Sequence, residues 1–196
     1  FSGDGLTIDS EDKRMFRRFQ LECYVISKDT PEQFKLDIFS RLNTGGIKLN
    51  AAEVRNAIIG RELRDSIKKI LEDDTVQNLI TSKTKRFMDY ELIMRSLAFD
   101  EFFYGNVEYK GNSKSLIDLW AIKNKKNKVD GLEIIETFKK IYIAFGETAF
   151  RRLNLECKAI GGINSLIYIC LMYHIKKIDM KVIESLGRID KEWSSI

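Results

Sequence analysis

Apolar residues recur at the three- and four-residue spacing of a helix along most of the chain after residue 50. This period is typical of amphipathic helices, because 3.6 residues complete one turn. The pattern and its polar breaks predict helices over 51–59, 61–71, 89–103, 113–125, 132–145, 147–153, 162–175 and 180–186, with another beginning after residue 190. Pro31 is the only proline, which also favours helices because proline removes a helix hydrogen bond. The sequence therefore predicts a mainly α fold.

The first 30 residues show a different pattern. Ser10, followed by two acidic residues, predicts the start of a short helix that ends near Arg18. Residues 19–27 alternate apolar and polar positions, and one face carries Phe19, Leu21, Cys23 and Val25. This alternation predicts a β-strand, the only one in the chain. Because a lone strand needs a partner, we expect its sheet partners upstream or in another chain, and the fold to be a helical bundle with one N-terminal strand.

A polar, glycine-rich loop separates two further predicted helices. The first begins at Pro31, after the N-cap residue Thr30, and ends at Asn43, with an apolar face made by Phe34, Ile38, Phe39 and Leu42. Proline at the first position is typical of a helix start. The second helix begins at Ala51, because Asn50 and Glu53 have the spacing of a capping box.

The loop between these helices has the composition of an anion site. Adjacent glycines let consecutive backbone N–H groups face one concavity, and the helix start that follows adds unpaired N–H groups and a partial positive charge. Nearby cations and amide or hydroxyl side chains complete a candidate phosphate site of Arg41, Asn43, Thr44, Gly45, Gly46, Lys48, Asn50 and Arg55. Asn43 is also a candidate Mg²⁺ ligand. The alternative is that the two glycines only form a turn.

Two segments around this loop resemble a known family. They are Arg41-Leu-Asn-Thr-Gly-Gly46 and Leu49-Asn-x-x-Glu-Val-Arg-Asn-Ala57. Together they resemble the signature of the ParB-like N-terminal domain of GmrSD-type modification-dependent restriction enzymes, a domain also found in phage-defence proteins. The similarity covers nearly the whole chain and is looser after Phe103, where it includes Phe145 to Arg152 and Asn164.

The resemblance implies a nucleotide-responsive, DNA-sensing domain. Residues 1–60 would be the C-terminal part of a ParB-like nucleotide-binding core, and residues 61–196 a helical scaffold region of the same domain. By similarity, Arg41 and Asn43 would help to hold a nucleoside triphosphate with Mg²⁺, and the intact protein would bind DNA. The family's earlier Asp-Gly-Gln-Gln-Arg motif is absent, since residues 3–6 (Gly-Asp-Gly-Leu) do not replace it. We therefore expect no hydrolysis by this chain alone.

The same resemblance implies partners outside the chain, namely an upstream sheet and a downstream nuclease domain or subunit. The family's nuclease domain is of the His-Asn-His type, whose metal chemistry needs at least two histidines. His174 is the only histidine of the sequence, so the chain does not contain that nuclease. His174 itself is expected to be structural rather than catalytic, and we assign no catalytic residue.

The net charge of the chain is relevant to a second possible function, nucleic-acid binding. The net charge of +4 is well below that of a dedicated nucleic-acid-binding protein. A non-catalytic nucleic-acid-binding role would use the cations Lys123, Lys125, Lys126, Lys128, Arg151 and Arg152. No aromatic residues are interleaved with the lysine run, which favours a solvated helix end instead. A third alternative is a helical scaffold for protein interaction.

The cysteines and the most apolar run indicate the cellular compartment of the protein. Cys23, Cys157 and Cys170 are far apart and have apolar neighbours, which predicts buried, reduced thiols and a cytoplasmic protein. The most apolar run, 163–175, is too short to span a membrane. We expect the stripe of Leu166, Ile169, Cys170 and Tyr173 to lie in the core. Trp120 and Trp193 are likewise expected to be packing residues rather than base-stacking platforms.

Overall fold

The computed structural model describes residues 8–20, 23, 25–27, 29–31, 34–35, 37–38, 41, 49–156 and 158–186. The chain separates into two compact units, Phe1–Pro31 and Glu32–Ile196. The larger unit continues through residue 60 without division. No helix within the described ranges has the length and apolar character needed to cross a bilayer.

The described structure is mainly helical, which confirms the predicted fold class. Its α-helices are α1 Ser10–Arg18, α2 Ala51–Ile58, α3 Arg61–Leu71, α4 Asp74–Leu79, α5 Met88–Phe103, α6 Ser113–Asn124, α7 Leu132–Phe145, α8 Ser165–Ile175 and α9 Met180–Leu186. Short 3₁₀ turns cover Thr81–Lys83 and Gly146–Thr148. Strands β1 Arg152–Leu153 and β2 Ala159–Ile160 form an antiparallel pair. The described residues between 34 and 41 are helical, as predicted.

The core of the larger unit is built around α5. This helix packs against α2, α3, α6 and α8, while α7 packs against α4, α8 and α9. The side chains of Leu63, Ile67, Ile93, Ile117 and Phe138 are fully buried between these helices. Because α5 contacts α2, the core also determines the position of the helix that follows the glycine-rich loop.

The N-terminal strand prediction is wrong for the described residues of 19–27, which are not in a strand. Phe19 and Val25 lie largely in solvent, at 72% and 93% exposure. Alternation alone does not make a strand, because the backbone N–H and C=O groups need a neighbouring strand. The predicted helix over 147–153 is also wrong, since a 3₁₀ turn and β1 occupy that segment.

The apolar stripe predicted on α8 is partly wrong. The buried residues of α8 are Tyr168, Ile169, Met172 and Ile175, whereas Leu166 and Cys170 are exposed. Cys23 is exposed too, so the prediction of buried thiols fails at both cysteines that the structure describes. Trp120 is buried and donates from Nε1 to Glu101 Oε1 at 2.9 Å, which confirms its packing role. Trp193 lies outside the described residues.

Candidate functional site

The N-terminus of α2 is closed by the predicted capping box. The Asn50 side chain accepts a hydrogen bond from the Glu53 amide at 2.9 Å. In return, Glu53 Oε2 accepts one from the Asn50 amide at 2.7 Å. These reciprocal bonds satisfy two backbone donors that would otherwise be unpaired at a helix start. The helix after the loop therefore begins at a well-defined residue.

Arg86 forms hydrogen bonds with both residues of this capping box. Its guanidinium holds Glu53 with two hydrogen bonds, from Nε at 2.8 Å and from Nη2 at 2.6 Å. Its carbonyl oxygen accepts a bond from Asn50 Nδ2 at 3.3 Å. The hydrogen bond from Arg86, followed by that from the Asn50 amide, lowers the pKa of Glu53. The carboxylate is thus ionised and paired at neutral pH.

The backbone at Arg86 and Phe87 is in the left-handed region, with φ of 55° and 63°. This conformation is uncommon for residues other than glycine, because Cβ approaches the backbone carbonyl. It occurs immediately before α5 and lets the Arg86 carbonyl and guanidinium both reach the start of α2. Tertiary contacts with Asn50 and Glu53 therefore stabilise a local conformation that the sequence alone disfavours.

One turn further along α2, Arg55 is buried in the core with only 2% exposure. Its Nε donates to Asp118 Oδ1 on α6 at 2.7 Å, and its Nη1 donates to Glu91 Oε2 on α5. Nη2 donates to the Lys114 carbonyl at 3.4 Å. Each of the three guanidinium nitrogens thus has an acceptor within the protein.

A second arginine completes this buried ionic cluster. Arg95 Nη2 lies 3.2 Å from Glu91 Oε1, one turn along α5. The cluster therefore contains two cations, Arg55 and Arg95, and two carboxylates, Glu91 and Asp118. Buried charges are tolerated only when they are paired in this way. The consequence is that α2 is fixed to both α5 and α6 at one register.

Part of the predicted phosphate site lies in the described structure. Arg41 is exposed on its helix and pairs with Asp37 at 3.0 Å. Asn50 and Arg55 differ from their predicted role, because the Asn50 side chain is used by the capping box and the Arg55 guanidinium is buried among protein acceptors. The contacts of both side chains therefore lie within the protein, at the start of α2 and between α2, α5 and α6. The remaining predicted members lie outside the described residues: Asn43, Thr44, Gly45, Gly46 and Lys48.

The cations predicted for nucleic-acid binding lie in different local environments. Lys123 pairs with Glu101 at 2.8 Å, and the Lys125 carbonyl accepts a bond from the Gly60 amide at 2.9 Å. Lys128 lines an open groove along α3 that also contains acidic side chains. Arg151 Nε is buried without a hydrogen-bond partner, whereas Lys126 and Arg152 are exposed. The two grooves that Lys128 lines contain neither Arg151 nor Arg152.

Sequence reasoning missed Arg86, Glu91 and Asp118 as residues that support this site. Glu91 and Asp118 lie 36 and 63 positions from Arg55, so no local motif joins them. A usable signal was that the charged Glu91 lies directly between Tyr90 and the apolar run Leu92 to Met94. Charges at such positions are seldom buried unless they are paired.

No group of three or more His, Cys, Asp or Glu side chains suited to a metal ion occurs among the residues that the structure describes. Comparisons with protein family models, curated proteins and solved structures found no match to this chain.

Proposed function

We propose that the segment from Arg41 to Lys48 binds the phosphates of a nucleoside triphosphate with Mg²⁺, and that the chain is a fragment of a nucleotide-responsive, DNA-sensing domain of a phage-defence protein. The observation that carries the proposal is the resemblance of 41–46 and 49–57 to the ParB-like signature. The anchored start of α2 supports it, since a phosphate-binding loop needs a rigid helix beneath it.

Two groups of residues have different roles in this site. Arg41 and Asn43 to Lys48 contact phosphate and metal, and the paired glycines supply backbone N–H donors. Asn50 and Arg55 hold the helix that carries the loop, through the capping box and the buried ionic cluster. Arg86 neutralises Glu53, so this carboxylate does not repel an anion bound nearby.

The compartment and the partners follow from the same role. DNA is the partner of the intact protein, together with the upstream sheet and a nuclease domain or subunit. The cytoplasm is the proposed location, and the free, exposed thiols of Cys23 and Cys170 fit its reducing conditions.

Isothermal titration calorimetry with ATP and with GTP, each in the presence of Mg²⁺, tests the phosphate site. We expect Asn43→Ala and Gly45→Val to remove binding. Matched controls are Asn78→Ala, at an exposed position of α4, and Gly162→Val, where an added Cβ meets nothing within 4 Å. Both controls should bind as the original chain does. The site assignment fails if the two loop variants retain full affinity.

A further inference from the structure

Aromatic rings gather where α5 ends and the loop of residues 104–112 begins. The exposed rings of this set are Phe103, Tyr104 and Tyr109, at 39%, 59% and 37% exposure. The Phe103 ring lies 4.1 Å from that of Tyr173 on α8, between ring centroids, and Tyr104 lies 6.5 Å from the same ring. We call Phe103, Tyr104, Tyr109 and Tyr173 the aromatic surface.

One buried ring and one half-buried ring pack against the aromatic surface from the side of the core. Phe99 and Phe102 are packed into or against the core. Their ring centroids lie 5.9 and 5.3 Å from that of Tyr109. Such spacings are those of favourable aromatic pairs. The outer rings are thus held in place by the fold rather than extended freely into solvent.

Lysines are interleaved with these rings. Lys177 Nζ lies 3.5 Å above the centroid of Tyr173, and Lys176 Nζ lies 5.0 Å from that of Tyr104. Lys176 is also paired with Asp100 at 2.6 Å, whereas Lys177 forms no salt bridge with a described carboxylate. Lys110 follows Tyr109 directly and has only a loose, exposed pair with Glu108 at 3.6 Å. Cationic groups therefore lie over two of the rings, and a third follows Tyr109 in the sequence.

We infer that the aromatic surface binds single-stranded nucleic acid. Exposed rings offer stacking platforms to bases, and neighbouring cations attract the backbone phosphates, which is how strands are held without base-specific hydrogen bonds. The lysine run at residues 123–128 lacks such rings. The aromatic surface and the glycine-rich loop share no residue, so either proposal can fail without the other.

Fluorescence anisotropy with a dye-labelled oligo(dT) strand of about 15 nucleotides tests this site, since that length covers one small binding module. We expect the full chain to bind at low salt, and Tyr104→Ala to weaken binding by about tenfold. Tyr104→Phe keeps the ring and should restore the affinity. Phe16→Ala is the matched control, because Phe16 is 83% exposed on α1 and belongs to the other compact unit of the chain.

The phosphate contact is tested by Lys177→Gln. It should weaken binding and make the dependence of log affinity on log salt shallower by about 0.7, the value for one phosphate contact of a single strand. Lys68→Gln, at an exposed lysine of α3, should leave both quantities unchanged. An oligo(U) strand of equal length shows whether RNA is held as well as DNA.

Three results would overturn the inference. The first is the absence of binding to both strands at low salt. The second is equally tight binding of a duplex, whose bases are not open to stacking. The third is binding that is unchanged by Tyr104→Ala but lost in Gly45→Val, which would move the contact to the glycine-rich loop.

Discussion

Arg55 on α2 donates a hydrogen bond of 2.7 Å to Asp118 on α6, across 63 positions of sequence. The same guanidinium bonds to Glu91 on α5, so one side chain joins three helices. Ion pairs of this kind fix register, because a shift of any one helix would leave a charge unpaired in the core. The cluster thus connects the fold of the larger unit to the start of the helix that follows the glycine-rich loop.

Arg55→Met should lower the free energy of unfolding by about 3–5 kcal/mol, because Glu91 would remain buried with only Arg95 as a partner and Asp118 would lose its ion pair with Arg55. Urea unfolding at pH 7, followed by circular dichroism, measures the loss. Arg61→Met is the control, since Arg61 is 89% exposed and its pair with Asp65 measures 3.5 Å. Its effect should stay within about 0.5 kcal/mol. A loss below about 1 kcal/mol in Arg55→Met would contradict the role of the cluster.

The double variant Arg55→Met with Glu91→Gln provides a further check on this cluster. Removing both charges should cost less than the sum of the two single changes, because each single change already removes the ion pair between Arg55 and Glu91. Additive losses in urea unfolding would show that the two side chains do not interact.

Gly60→Ala should destabilise the fold by about 1–3 kcal/mol, the usual effect of overpacking. The added Cβ would lie 2.1 Å from the Lys125 carbonyl oxygen, the same atom that accepts the Gly60 amide at 2.9 Å. Backbone cannot move aside as a flexible side chain can. Gly162→Ala, with nothing within 4 Å of its Cβ, serves as the control in thermal unfolding. Equal melting temperatures for the two variants would contradict this close approach.

Long helices with a continuous apolar face could be predicted from the sequence. Helices α3 and α7 have the predicted bounds, 61–71 and 132–145, because their period and polar ends are both clear. The capping box of Asn50 and Glu53 was likewise predicted and is confirmed. In such segments local propensity and tertiary packing agree.

The buried charges could not be predicted in the same way. Arginine on an eight-residue helix next to a glycine-rich loop favours an anion-binding interpretation, and only the positions of Glu91 and Asp118 show that Arg55 has protein partners. Helix α4 was also missed, because six residues give too little periodicity. Its start is fixed by Asp73, which accepts bonds from the Thr75 and Val76 amides at 2.9 and 3.3 Å.

Cys170 should react with a thiol reagent in the folded protein, since it is exposed on α8 and forms no disulfide. Titration with Ellman's reagent under native conditions measures accessible thiols. Cys170→Ser should remove one equivalent from the fast phase, and the total released after unfolding should fall by the same amount. An unchanged native titration in Cys170→Ser would mean that this thiol is covered in solution.

Protonation of Glu53 in acid should make the protein less stable. Its pKa is lowered from the ordinary value of 4.5 by the hydrogen bond from Arg86 and then by that from the Asn50 amide. The stabilisation that the ionised side chain provides is therefore complete above about pH 5 and is lost as the pH falls below 4.5 towards the pKa of the folded state. In urea unfolding, the difference in the free energy of unfolding between the original chain and Glu53→Gln should decrease over that pH range.

The contact with Arg86 is tested by NMR titration. Arg86→Gln should raise the pKa of Glu53, whereas Lys85→Gln at the neighbouring exposed position should not. If Arg86→Gln leaves that pKa unchanged, Arg86 does not hold the capping box in solution.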